Sequence, residues 1–221
     1  DELIERARKD TGLDRFDDED FREGLGIFMS DYNAQPRSEE CNDANAAYVV
    51  KSLADRLRIE DAIRQRPEVL AQKIERPVFV FGVPRTGTTL MSNLLAADPN
   101  RRSALTWEIE HPVPPPTTAT LTTDPRCLAM LEREREMQAA MPEMFKFYRN
   151  SAVYPNECLF WTMHTFKALI WESRGKLPNY RDWIFSRDTD MLPAYRYHKK
   201  FLQLHQADAP GVWNLKLPSH S

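Results

Sequence analysis

A short strand followed by a glycine loop and a helix constrains the fold of this chain more than any other feature. Residues 77–81 (PVFVF) are a continuous β-branched and aromatic run, which is typical of a strand buried on both faces in a parallel sheet. The loop Gly82–Thr89 (GVPRTGTT) follows at once, and apolar residues then recur at helical spacing over Leu90–Leu95. This order of elements predicts an α/β fold.

The loop itself indicates an anion site. A glycine loop between a strand and a helix gathers backbone N–H groups and the positive end of the helix dipole around one point, and phosphate is the usual ligand there. The spacing of Gly82 and Gly87 matches the P-loop of nucleotide-binding proteins, but Thr88 stands where that motif has lysine. Arg85 is the only cation in the loop. The alternative is a tight strand-to-helix turn that binds nothing.

Residues 1–72 are predicted to form a helical N-terminal subdomain or lid. Two segments carry apolar residues at helical spacing, one from Phe21 to Met29 after a cap at Asp17-Asp18, and one from Val50 to Leu57 after a cap at Asn42-Asp43. Pro67 ends or interrupts the second helix. We therefore predict two domains, 1–72 and 73–221, with the loop in the second.

The rest of the chain gives further elements. His111–Pro116 is too rich in proline for a helix, and Asp124-Pro125 resembles a cap that opens a helix to about Met141. Residues 155–172 are apolar nearly all round and predict a buried helix, and residues 193–205 predict another. Val212–Lys216 predicts a second buried strand.

Composition excludes several classes of function. The formal net charge of −3 argues against a broad nucleic-acid or anionic-membrane surface. No apolar stretch approaches the roughly 20 residues of a membrane span. The three cysteines, an odd number without CxxC spacing, favour reduced thiols and a cytoplasmic location. No spacing of His, Cys or Asp indicates zinc.

Two motifs together resemble a known family. The loop Pro84–Leu90 (PRTGTTL) is similar to the 5′-phosphosulfate-binding loop of sulfotransferases that use 3′-phosphoadenosine 5′-phosphosulfate (PAPS). The wider stretch Phe79–Pro99 most resembles the loop of tyrosylprotein sulfotransferases and their bacterial relatives. Residues 213–220 (WNLKLPSH) resemble the Leu-Lys segment of the same families. The resemblance covers roughly residues 73–221 and implies a P-loop α/β fold that transfers a sulfuryl group to a hydroxyl or amine.

The resemblance also implies roles for the loop residues. The amides of Thr86, Gly87, Thr88 and Thr89, with the hydroxyls of the last two, would hold the 5′-phosphate. Arg85 would reach the bridging oxygen, where charge accumulates as the bond to sulfur breaks. A sulfuryl group carries less charge than a phosphoryl group, so donors can suffice and no metal is expected. The product would be 3′-phosphoadenosine 5′-phosphate.

The same families use a carboxylate shortly after the loop helix as the base. Here Glu108 is favoured, and Glu110 and His111 remain alternatives. Lys216, at the end of the second predicted strand, would stabilise the sulfonate oxygens from the crevice at the carboxyl ends of the strands.

The residues that bind the 3′-phosphate in these families follow the Leu-Lys segment, so we expect them beyond Ser221, in a C-terminal part that this chain lacks. The acceptor is expected to be a small molecule, a glycolipid or a carbohydrate. Two other functions stay open, a P-loop kinase or NTPase with an altered loop and a non-enzymatic helical binding module. Affinity for ATP that depends on Mg²⁺ would indicate the first, and no affinity for nucleotides the second.

Overall fold

The computed structural model describes residues 1–83, 85–147 and 151–217. The chain forms two compact units, one made of residues 1–67 and 159–201, the other of residues 68–158 and of residue 202 onwards. The first unit therefore contains residues 159–201 as well as the N-terminal helices. The division into domains 1–72 and 73–221 stays a prediction.

Helices make up most of the described residues. In chain order they are α1 (Glu2–Thr11), α2 (Phe21–Asn33), α3 (Glu39–Gln65), α4 (Thr88–Ala96), α5 (Thr106–Glu110), α6 (Pro125–Ala140), α7 (Pro142–Phe147), α8 (Leu159–Thr162), α9 (Pro178–Ile184) and α10 (Leu192–Gln206). The strands are β1 (Val78–Val80), β2 (Arg101–Arg102) and β3 (Val212–Lys216).

The three strands form a parallel sheet in the order β1-β3-β2 within the second unit. Val78 lies opposite Asn214 and Val80 opposite Lys216, while Arg102 lies opposite Trp213. The chain passes from β1 through the glycine loop and α4 to β2. The last strand, β3, lies between β1 and β2 in the sheet. This arrangement confirms the predicted α/β fold with a parallel sheet.

β1 differs in one respect from its prediction. We expected a strand buried on both faces, but Phe79 is 43% exposed. Among the described strands β1 pairs only with β3, which leaves it at an edge of the sheet. A continuous apolar run indicates a strand, but it does not tell whether neighbours cover both faces of that strand.

The first unit has an aromatic core between α2, α3 and residues 163–180. The ring of Trp171 stacks on Phe166 at 4.4 Å between centroids and meets Phe28 edge-on at 5.0 Å. Tyr180 donates to the carbonyl oxygen of Phe166 at 2.9 Å, so its polar atom is satisfied inside the core. These contacts give the apolar stripes of α2 and α3 the partner surface that amphipathic helices need.

The predicted helix over residues 155–172 is wrong. The segment forms only the single turn α8 and two 3₁₀ turns, at Met163–Thr165 and Leu169–Arg174. The carbonyl of Met163 accepts from Trp171 Nε1 at 3.0 Å, and that of His164 accepts from Arg56 Nη1 at 3.2 Å. Phe166 then adopts a left-handed conformation at φ 54°, which ends the helical path.

Of the three predicted helix caps one is confirmed, and α2 follows Asp20 rather than the predicted Asp17-Asp18. Asp124 accepts from the Arg126 amide at 2.9 Å with Pro125 as the first helical residue, which confirms the predicted start of α6. The helix over 193–205 and the strand Val212–Lys216 are also present, as α10 and β3. α3 begins earlier than predicted, because Ser38 rather than Asn42 caps it and accepts from the Cys41 amide at 3.2 Å.

No helix in the described part of the chain is both long enough and apolar enough to cross a membrane.

Candidate active site

The glycine loop takes the shape that its sequence requires. Gly82 at φ 152° and Gly87 at φ 94° both occupy backbone conformations that favour glycine. Between them the Thr86 hydroxyl donates to the carbonyl oxygen of Val83 at 2.7 Å, which closes the loop on itself. Pro84 lies outside the described residues.

Helix α4 begins directly after Gly87, and its first turn offers free donors. The carbonyl of Gly87 accepts from the Met91 amide at 3.0 Å, so the amides of Thr88, Thr89 and Leu90 precede the first intrahelical bond. Thr86, Gly87 and Thr89 are exposed. The positive end of the helix dipole therefore faces an accessible set of N–H groups and hydroxyls, which is an anion site.

Arg85 adds a cation to this loop. Its backbone lies in the left-handed region at φ 69°, although it is not glycine. Its side chain is exposed and forms no ion pair within residues 1–83, 85–147 and 151–217. The guanidinium is therefore available to an anion bound at the loop.

Lys216 reaches the loop helix from the sheet. It is the last residue of β3 and is 5% exposed, and its Nζ donates to Thr89 Oγ1 at 3.2 Å. The same ammonium forms an ion pair with Glu157 Oε1 at 2.7 Å. The structure thus brings together Lys216 and Thr89, two residues that the sequence predicted for one site. Residues 218–221 of the second motif lie outside the described part of the chain.

Glu108 lies in a buried ion pair. Arg102 holds both of its carboxylate oxygens, one of them through Nη1 at 2.9 Å, and the Leu105 amide donates to Oε2 at 2.9 Å. The residue is fully buried, and the Arg102 guanidinium also lies 4.9 Å from the Trp213 ring. This geometry does not favour the role of base expected of Glu108, because both carboxylate oxygens already accept hydrogen bonds inside a buried ion pair. The assignment stays a prediction.

The two alternatives to Glu108 lie at the end of α5. Glu110 is the last residue of that helix and is exposed. His111 is also exposed, and its carbonyl oxygen accepts from Arg126 Nη1 at 3.1 Å. Their roles stay predictions as well.

Glu157 is a carboxylate that the sequence did not single out. The adjacent Cys158 amide donates to the carbonyl oxygen of Lys216 at 2.9 Å, so this segment runs beside the end of β3. The Glu157 side chain is about one quarter exposed, and it is the carboxylate that contacts Lys216. No local pattern marks it, because its partner lies far away along the chain.

Cys158 is not a candidate nucleophile. It is fully buried, and burial raises the pKa of its thiol to about 12. The thiolate, which is the reactive form, is therefore scarce at neutral pH.

The site thus combines three kinds of donor around one exposed loop. These are the amides of Thr86–Thr89 with the hydroxyls of Thr88 and Thr89, the guanidinium of Arg85 and the ammonium of Lys216. Lys216 supplies from the central strand a cation beside the first turn of α4, where the loop itself has Thr88 instead of lysine. Glu157 adds a partly exposed carboxylate beside that cation.

Comparison with known proteins gives related sequences and structures. A protein-family model described as "Sulfotransferase family" matches residues 77–221. The sulfotransferase STF9 from Mycobacterium avium is similar at 39% identity with a TM-score of 0.91, over 99% of this chain and 56% of that chain. The sulfotransferase STF1 from Mycobacterium tuberculosis H37Rv is similar at 31% identity with a TM-score of 0.85, over 99% and 60%. The chain spans little more than half the length of either structure.

No match was found among curated proteins. The family model nevertheless covers well over half of the chain and includes the glycine loop, α4 and β3. The two structural matches extend over nearly all of it. This chain belongs to the sulfotransferase family.

Proposed function

We propose that this protein transfers a sulfuryl group from PAPS to a hydroxyl or amine of an acceptor. The observation that carries the proposal is the contact between Lys216 Nζ and Thr89 Oγ1 at the start of α4. It joins the two motifs on which the resemblance rests and gives the loop a second cation besides Arg85.

The residues of the loop suit the donor. A 5′-phosphate needs several hydrogen-bond donors at one point, and the amides of the first turn of α4 offer them beside the hydroxyls of Thr88 and Thr89. The bound donor would supply an activated sulfuryl group. Arg85 would stabilise the charge that develops on the bridging oxygen, and Lys216 would stabilise the sulfonate oxygens. These roles need no metal ion.

The reaction breaks the bond from sulfur to the bridging oxygen and forms a bond from sulfur to the acceptor. 3′-Phosphoadenosine 5′-phosphate leaves, and the proton of the acceptor passes to a base. We propose Glu157 as that base, because it is partly exposed and lies beside Lys216, whereas Glu108 is enclosed by Arg102. A base must come within hydrogen-bond reach of the proton that it takes.

The test is nucleotide binding measured by calorimetry on the longest available form of the protein, with 3′,5′-ADP and ATP titrated separately, each with and without Mg²⁺. We expect 3′,5′-ADP to bind without Mg²⁺, and Arg85→Ala to weaken that binding. Tight binding of ATP only with Mg²⁺ would indicate a kinase or NTPase instead. No binding of either nucleotide would indicate a helical binding module.

Two finer features complete the proposal. The acceptor is a small molecule, a glycolipid or a carbohydrate, since the chemistry needs only an accessible hydroxyl or amine. The location is cytoplasmic, in agreement with Cys41, Cys127 and Cys158, which form no disulfide in the described part of the chain.

A further inference from the structure

Helix α4 is attached to the sheet in an unusual way. Its only buried residue is Ser92, which is 1% exposed. Three of its large apolar side chains, Leu90, Met91 and Leu94, are exposed, and the fourth, Leu95, is only half-buried. An amphipathic helix normally turns such a stripe toward the core. Apolar packing of this stripe therefore does not fix the position of α4 against the sheet.

Two polar side chains of β3 form hydrogen bonds with α4. Asn214 Nδ2 donates to the carbonyl oxygen of Ser92 at 3.1 Å, and Lys216 Nζ donates to Thr89 Oγ1 at 3.2 Å. Asn214 and Lys216 are two residues apart on a strand and so point to the same face of the sheet. Thr89 and Ser92 are three residues apart on a helix and so share a face. The central strand holds the loop helix at two points, about one turn apart.

The two hydrogen bonds differ in whether they can persist during the reaction. The ammonium of Lys216 is shared with Glu157 and, on the proposed function, turns to the sulfonate oxygens during the reaction. Asn214 is 3% exposed, and its second contact is Ser103 Oγ at 3.3 Å. It can keep hold of α4 while Lys216 acts on the substrate.

Asparagine at this position has an energetic cost. Among the described residues, Asn214 Oδ1 and Ser92 Oγ are buried without a hydrogen-bond partner. A buried polar atom left in this state destabilises a fold by about 1–3 kcal/mol. An apolar side chain of the same shape would avoid the penalty at Oδ1. The structural benefit of Asn214 is therefore its bond to the loop helix.

We propose that Asn214 is a positioning residue that holds helix α4, and with it the anion-binding end of the glycine loop, at its place on β3. The proposal rests on the proposed function only for its effect on nucleotide binding. The mechanical part, that Asn214 restrains α4, stands on the contacts alone.

The test compares Asn214→Leu with the unaltered protein by hydrogen exchange of the α4 amides, thermal unfolding and binding of 3′,5′-ADP. Leucine has the shape of asparagine but cannot donate to Ser92, and Asn214→Ala serves if leucine prevents folding. Ser103→Ala is the matched control, because it removes the other contact of Asn214 and leaves the bond to Ser92 in place.

We expect the α4 amides of Asn214→Leu to exchange at least about fivefold faster, the effect of losing one hydrogen bond, while Tm stays the same or rises. Binding of 3′,5′-ADP should weaken, and Ser103→Ala should change neither quantity. Unchanged exchange in α4, or an equal effect of Ser103→Ala, would overturn the proposal. If the longest available form of the unaltered protein binds no 3′,5′-ADP, the proposed function fails, and the exchange result still decides the role of Asn214.

Discussion

Arg85 combines a strained backbone with a free side chain. A non-glycine residue in the left-handed region costs about 1–3 kcal/mol and persists only where the surrounding structure imposes it. Here the loop between Gly82 and Gly87 imposes it, closed by the bond from Thr86 to Val83. The result is a guanidinium presented at the mouth of an anion site. Strain of this kind is common where a binding site must be preorganised.

Replacing Arg85 by alanine should therefore affect chemistry and leave the fold intact. We expect Arg85→Ala to lower the rate of sulfuryl transfer by about 10² or more, the effect of removing one preorganised donor from a transition state. Tm should stay the same, because the side chain is exposed and makes no ion pair among the described residues. Single-turnover rates with PAPS test this, with the exposed Arg133→Ala on α6 as control. A rate close to that of the control would remove Arg85 from the mechanism.

The two candidate bases should respond differently to the same change. Glu157→Gln keeps an oxygen that can accept from Lys216 but cannot take a proton, so we expect turnover to fall by about 10²–10⁴. Stability should fall less than in Glu108→Gln, because Glu157 is one quarter exposed, although Lys216 is left beside a neutral partner. Glu108→Gln leaves Arg102 buried beside a neutral partner and should lower stability by about 3–5 kcal/mol. Turnover and thermal unfolding of both variants separate the roles. A stable but inactive Glu108→Gln would restore Glu108 as the base.

The same comparison shows what the sequence could predict about the site. The loop residues are predictable because strand, glycine loop and helix are contiguous, and the geometry of each follows from local rules. Lys216 was found only through resemblance. Glu157 was missed because the reason for its importance is an ion pair formed by the fold, and nothing near it in the sequence marks that contact. Glu108 looked available because nothing in the sequence shows that the nearby Arg102 turns toward it and forms a buried ion pair.

At the scale of elements, the cap at Asp124 correctly predicted the start of α6, and the prediction of a helix over residues 155–172 failed because side chains compete for its backbone groups. Asp124 marks the start of α6 by itself. The apolar run 155–172 gave no such signal, and Arg56 and Trp171 take the carbonyls that a continuous helix would need. Arg56 on α3 therefore interrupts a helix in residues 155–172, and the sequence of that segment alone does not show this contact.

Arg56 connects several elements of the first unit. Its fully buried guanidinium forms ion pairs with Asp18 at 2.5 Å, Asp20 at 2.7 Å and Glu60 at 2.8 Å. Three carboxylates surround this one guanidinium, so their full negative charge would exceed its positive charge. Burial raises the pKa of Glu60 to about 7 and that of Asp20 to about 6, against the opposing attraction of Arg56. The folded cluster therefore retains protons that the unfolded chain has released.

This predicts a definite sign for the effect of pH on stability. Because the pKa of Glu60 is raised on folding, its contribution is fully present below its unfolded value of 4.5 and is lost as pH rises through 7. In Glu60→Gln the side chain does not titrate, so this loss of stability does not occur. Between pH 4.5 and 8, the variant should gain about 1–3 kcal/mol of unfolding free energy relative to the unaltered protein. Urea unfolding at several pH values measures the difference.

Glu60 is not the only group that titrates in this range. His164, 3.0 Å from the Tyr197 hydroxyl, has a pKa lowered to about 4 by burial, so its contribution has the opposite sign and increases as pH rises to 6.5. Subtracting the unaltered protein from Glu60→Gln cancels that contribution, as long as His164 stays buried. A difference that does not change with pH would show that Glu60 is ionised in the folded state throughout.

At the scale of the whole molecule, one group of exposed apolar side chains lies around the loop. Phe81 and Val83 follow β1, and Leu90, Met91 and Leu94 lie on α4, which makes five large exposed apolar residues within 14 positions of the sequence. β1 is also an edge strand among the described strands. Exposed edges and apolar patches are the usual causes of association between copies of a protein.

We therefore expect this chain to associate as its concentration rises, through the face that Leu90 and Leu94 share. Replacing both by lysine keeps good helix formers on α4 and places charge on the face, so the weight-average mass in sedimentation velocity should fall toward that of the monomer. Leu128→Lys is the matched control, since Leu128 is an exposed leucine on another helix, α6, and should leave the association unchanged. Association that persists in the double variant would place the contact elsewhere on the molecule. If the protein is monomeric at every concentration, exposure of this apolar face does not cause association and the prediction is wrong.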